Sequence, residues 1–222
     1  MSTVAGAVLS AVVCVAAAPA LAGLRLAGPE PDADLQWQRP GASRTALAAA
    51  VALVLGTLGG AAAGWSALLP AFIALALAGT PLVLIDVEHH RLPNRLVFTA
   101  DGAAAVLLTV AAAVRHDWSA WLRGAEGAVA VFAVLYLIVF IAPRSFGFGD
   151  VKLAGLLGAY LGWFGWLYVY YGIFAGFLLG SVVAIALLAT GRASLRTKMA
   201  FGPTLILGPL IVLAFDLVPS LS

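Results

Sequence analysis

Apolar residues run along this chain in long blocks separated by short polar breaks. Blocks at 4–24, 45–63, 66–85, 96–114, 122–142, 151–163, 166–189 and 201–219 each read as a helix. All but one approach the ~20 apolar residues that a membrane-spanning helix needs. The short one, 151–163, is either a half-helix or fuses with the next block around Gly162 and Gly165. The pattern predicts an all-α, polytopic transmembrane bundle of eight helices, with seven as the alternative. Residues 1–222 then form a single integral membrane domain, with a Pro-rich linker at 25–44 as the longest break.

The polar breaks give the bundle a direction. Arg25, Arg39, Arg44, Arg91, Arg95, Arg144, Lys152, Arg192, Arg196 and Lys198 fall in the odd-numbered loops, leaving Arg115 and Arg123 for the even ones. Positive residues favour the cytoplasmic side, so the odd loops are expected there and both termini outside. The segment "APALAG" near the first block looks like a cleavage site, but no Lys or Arg precedes the apolar run. A retained first helix is expected rather than a signal peptide.

Composition agrees with the pattern and removes several function classes. The chain is 63% apolar and only 10% charged, with a mean hydropathy of +1.06. Soluble domains carry about 25% charged residues. Twelve Lys and Arg against ten Asp and Glu leave no basic face for nucleic acid. The single cysteine, Cys14, excludes an internal disulfide and a CxxC zinc site. His89 and His90 adjoin in a loop with no third ligand in view, so neither a metal nor a cofactor is expected. The lipid bilayer is the one partner that composition implies.

In so apolar a chain the acids stand out, because an ionisable group at membrane depth is costly and points to function. Glu30, Asp32, Asp34 and Asp117 fall in loops and are expected to be solvated, while Glu126 and Asp216 lie toward outer helix ends. Asp86, Glu88, Asp101 and Asp150 gather toward the cytoplasmic side. Asp86 closes the third block in "PLVLIDVEHHRLPNRL", and Asp150 opens the sixth in "GFGDVKLAG". Two carboxylates from different helices at one depth are what an aspartic dyad requires. One is ionised and activates water; the other is protonated and polarises the scissile carbonyl. Asp150 at a helix start and Asp86 at a helix end suggest Asp150 as resting base and Asp86 as resting acid, a helix-end bias of about 0.3–1 kcal/mol. Gly147 and Gly149 would give the backbone freedom and let an extended substrate approach. A plainer reading makes Asp150 a helix cap and Asp86 a polar residue at a helix end.

Three segments carry a resemblance to a known family. "DVEHHRLPN" places Pro93 and Asn94 after Asp86; "GFGDVKLAGLLGAYLG" has the form G-x-G-D-x-K-L with trailing glycines; "FGPTLILG" opens the last block with Gly202 and Pro203. Together they resemble the type IV prepilin leader peptidases, membrane aspartic proteases of the GxGD type, over about residues 66–215. The resemblance implies that Asp86 and Asp150 are the catalytic pair. It also implies cleavage of the short basic leader of prepilin or pseudopilin precursors at the cytoplasmic face of the bacterial inner membrane. The substrate's apolar helix would then dock laterally against the bundle. Long members of the family carry a cytoplasmic domain with paired CxxC motifs after the first helix and also methylate the new N-terminus. Here about twenty cysteine-free residues stand in that place, so a short, peptidase-only member is expected, serving a pilus or type II secretion apparatus.

The remaining residues carry lesser expectations. Lys152 either snorkels or orients Asp150 and its loop. Glu88 is a possible contact for the basic leader, and Asp101 a hydrogen-bond partner within the bundle. Gly202 and Pro203 open the last helix and shape substrate access. Trp163, Trp166, Tyr168, Tyr170 and Tyr171 read as an interfacial belt. A proton-coupled transporter could use the same carboxylates, although the chain has no internal repeat; a non-catalytic assembly protein would not need them.

Overall fold

The structure, a computed structural model, describes residues 2–28, 34–142, 147–191 and 200–218. Glu30, Asp32, Arg144, Arg192, Arg196 and Lys198 lie outside the described residues. Among the described residues, eight helices follow in order: α1 (Ser2–Ala22), α2 (Ala42–Ala63), α3 (Leu69–His89), α4 (Asn94–Arg115), α5 (Trp118–Ile141), α6 (Phe148–Phe164), α7 (Trp166–Ala189) and α8 (Gly202–Ala214). Six of them, α1 to α5 and α7, are long and apolar enough to cross a membrane. The chain is a multi-pass membrane protein of the all-α class.

Two features of the apolar pattern have clear causes, one an expected break and one a difference. Helices α6 and α7 are separate because Gly165 between them has φ 137° and ψ 168°, a conformation that L side chains rarely adopt. The last helix stops at Ala214, with 13 residues instead of the expected 19. Asp216 breaks it with a left-handed φ of 48° and accepts a hydrogen bond from the Tyr168 hydroxyl of α7. Asp117 does more than meet solvent: it caps α5, accepting the Ala120 N–H at 3.0 Å and the Ser119 hydroxyl at 2.8 Å. Those two bonds hold its carboxyl below the usual carboxylate range.

The linker between α1 and α2 contains a small antiparallel ribbon, β1 (Leu24–Leu26) paired with β2 (Leu35–Trp37), with Arg25 opposite Gln36. Trp37 fastens it to the end of α1, its indole N–H donating to Ala20 O at 3.1 Å. Arg95 at the start of α4 reaches its tip through a 2.7 Å ion pair to Asp34.

The interior is made by α3, α6 and α8, which bury 13 of 21, 11 of 17 and 9 of 13 residues, whereas α7 buries 4 of 24. Tyr160 of α6 anchors this interior, donating to Ala71 O at 2.8 Å and meeting the Phe72 ring edge-on at 5.1 Å. Trp163 is buried here too, so it does not belong to the interfacial belt, while Trp166 and Tyr170 are exposed. Around the interior the helices pair as α1 with α2, α5 with α6 and α7 with α8. Lipid tails are as apolar as leucine, so such pairs are held by close packing of small residues. At the α5–α6 seam, a Cβ added to Gly158 would lie 2.5 Å from Gly127 O.

Candidate functional site

The end of α3 is set by His90, which takes a left-handed φ of 53° and donates its N–H to Asp86 O at 2.7 Å. The Asp86 side chain, 3% exposed, turns toward α8, where Oδ2 accepts the Gly202 N–H at 2.8 Å. This contact explains the F-G-P segment. Phe201 caps the helix and Gly202 and Pro203 begin it, so the Gly202 N–H is one of the donors a helix start leaves unpaired. A Cβ on Gly202 would lie 2.8 Å from that carboxylate oxygen.

Asp150 is the third residue of α6. Its Oδ2 accepts the Gly147 N–H at 3.3 Å, and its own N–H donates to Gly147 O at 3.0 Å. Gly147 has φ −72° and ψ 142°, an extended geometry open to any residue, so the backbone freedom expected of it is not used. Gly149 matters through space: a Cβ there would lie 2.9 Å from Leu92 Cβ. Leu92 also approaches Gly202, its Cδ2 lying 3.4 Å from where a Gly202 Cβ would stand. One buried leucine thus packs beside the backbone next to Asp150 and the backbone that holds Asp86.

The helix-end bias expected from the sequence is also altered. Both carboxylates accept a backbone N–H at the start of a helix, Asp86 from α8 and Asp150 from α6. Asp86 therefore faces a positive helix end as well as ending α3, and the simple contrast between the two acids disappears.

The Pro-Asn and Lys positions meet. Pro93 is buried and caps α4, and Asn94 is its first residue. Lys152 Nζ donates to Asn94 Oδ1 at 2.7 Å and lies 4.6 and 4.8 Å from the Phe98 and Phe148 ring centroids. Glu88 is held by a bidentate pair with Arg44, at 2.8 and 2.9 Å. Asp101 lines a cavity of about 240 Å³ between α4, α5 and α6, together with Gly155 and Trp163. Among the described residues, no three His, Cys, Asp or Glu side chains gather as a metal site requires.

Leu92 and Arg44 are the residues that sequence reasoning missed. Leu92 gave a faint signal as the apolar residue in the polar stretch before Pro93. Arg44 gave none, because a loop arginine reads as a topology marker.

The profile of the type IV leader peptidase family matches residues 71–187. Leader peptidase HopD of Escherichia coli is 34% identical over 143 residues, 63% of this chain and 88% of that protein. The prepilin leader peptidase/N-methyltransferase of Stutzerimonas stutzeri is 28% identical over 70% of this chain and 54% of its own length. That of Bacillus subtilis is 28% identical over 65% and 54%. This chain's matches thus span about half the length of those two relatives. No solved structure matches significantly.

Proposed function

Because the chain belongs to the type IV leader peptidase family, we propose that it is a membrane aspartic endopeptidase acting on prepilin or pseudopilin precursors. It removes their short basic leader at the cytoplasmic face of the inner membrane. The observation that carries this reading is that Leu92 packs beside both Gly149, next to Asp150, and Gly202, which holds Asp86, while each acid receives a backbone N–H from a helix start.

The chemistry follows from two carboxyl groups holding one proton. The ionised carboxylate takes a proton from a water molecule as its oxygen attacks the scissile carbonyl. The protonated partner donates to the carbonyl oxygen as it gains charge. A tetrahedral intermediate results, and the two acids have exchanged their proton states. Collapse reforms a carbonyl as a hydroxyl returns its proton to the acid that had donated one; the C–N bond breaks, and the amine of the shortened precursor leaves with the proton from the acid that had accepted it. The leader departs as a carboxylic acid. The Gly202 and Gly147 N–H groups keep each side chain aimed while its charge changes, which limits reorganisation in the transition state.

The cytoplasmic orientation is supported by Arg44 and Arg95, which make their contacts at the same end as the site. The ribbon between α1 and α2 has no cysteine, and peptidase activity without N-methylation is proposed. The test is co-expression with a prepilin, following loss of the leader by gel shift. The wild type should process it; Asp86→Asn and Asp150→Asn should each leave it uncut. Mass spectrometry of the product should find an unmethylated N-terminus. Mutants that process as well as the wild type would dismiss the dyad.

A further inference from the structure

Arg44 carries far more structure than a loop cation. It lies in the first turn of α2 and is only 7% exposed. Its Nε and Nη2 donate to the two oxygens of Glu88 at 2.8 and 2.9 Å. Nη2 also donates to Leu24 O at 3.0 Å, at the head of β1. Nη1 donates to Ala22 O, the last carbonyl of α1, one of the acceptors that a helix end leaves unpaired. One guanidinium thus joins α1, β1, α2 and α3.

The partner on α3 gives this junction its meaning. Glu88 lies in the last turn of α3, where an anion is opposed by the negative helix end. Arg44 offsets that opposition and fixes the turn from outside. Asp86 lies two residues earlier in the same turn, and its carbonyl accepts the His90 N–H that closes the helix. Helix ends fray readily. A frayed end here would move the Asp86 carboxylate away from the Gly202 N–H.

We infer that Arg44 is a positioning residue for the proposed dyad, holding Asp86 in register by clamping Glu88 to the end of α1. This rests on the reading of Asp86 as a catalytic acid. It also gives Glu88 a role other than leader contact, and the two roles separate kinetically. Loss of a leader contact raises KM, whereas loss of register lowers kcat with KM nearly unchanged. Displacement of a reacting group by about 1 Å costs on the order of 100-fold in rate.

The experiment uses the full chain in membranes or detergent with a purified prepilin, comparing wild type, Arg44→Met, Arg44→Lys, Glu88→Gln and Asp86→Asn. Rates are taken per folded enzyme, with the thermal midpoint of each variant measured alongside. The expected result is a fall in kcat of roughly 10- to 100-fold for Arg44→Met and a smaller fall for Glu88→Gln, both at near wild-type KM. Lysine should restore part of the rate, since it meets Glu88 as a point charge but lacks the planar fork that also reaches both carbonyls. If Arg44→Met fails to accumulate, Arg44→Lys and Glu88→Gln carry the same test. Wild-type kcat in the folded variants, or a change confined to KM, overturns the inference. An inactive Asp86→Asn beside such variants would leave the dyad standing and remove only the clamp. An active Asp86→Asn would remove the dyad itself.

Discussion

Lys152 shows how one side chain can tie two motifs that are far apart in the chain. Its ammonium donates to Asn94 at 2.7 Å and lies near two phenylalanine rings. A hydrogen bond to a charged group is worth about 1.5–3 kcal/mol, and a cation–π contact adds about 0.5–1 kcal/mol. Snorkelling alone would require neither partner. Lys152→Met and Asn94→Ala should therefore be coupled, with an interaction of about 0.5–3 kcal/mol in a double-mutant cycle of thermal stability. Simple additivity would show that the contact contributes nothing. The ionisable members of the site were visible in the sequence, because charge in an apolar chain needs a reason. Leu92 was hidden because it is one leucine among many. The Gly202 N–H was hidden because backbone donors carry no residue signature.

Among the helices, each proposed catalytic aspartate has a charged residue two positions further on that anchors elsewhere: Glu88 in α2 through Arg44, and Lys152 in α4 through Asn94. The start of α6 depends on its fit along α5 as well. A Cβ on Gly158 would meet Gly127 O at 2.5 Å, and backbone cannot move aside as a flexible side chain can. Gly158→Val should destabilise the protein by on the order of 1–3 kcal/mol, read as a lower thermal midpoint in detergent. An unchanged midpoint would mean that α5 and α6 do not meet backbone to backbone at this seam. Helix positions were legible from apolar runs, since the bilayer sets their length. The break at Gly165 was legible in the eight-helix reading, with fusion left as the alternative because a glycine marks a permitted bend without requiring one. The ribbon was not legible: strands of three residues are too short to show a periodicity.

For the molecule as a whole, Arg44 and Arg95 make their contacts at the end of the bundle that holds the proposed site. Gln36 of the ribbon is exposed, and the ribbon adjoins Arg44 at the site's end of the bundle. A membrane-impermeant maleimide should label Gln36→Cys, in a Cys14→Ala background, in inverted vesicles and not in intact cells. Labelling from the outside would reverse the proposed orientation. Family membership was legible from three short segments, whereas their convergence depends on helix packing that no linear pattern records.

The contact between Asp86 and Gly202 spans 116 residues. During synthesis at ~5–20 residues per second, α8 emerges on the order of ten seconds after α3. Until then a partly made chain already in the bilayer holds both acids, but Asp86 lacks its backbone donor. On the proposed reading of Asp86, cleavage has to wait for α8, so the order of translation itself would keep the unfinished chain silent.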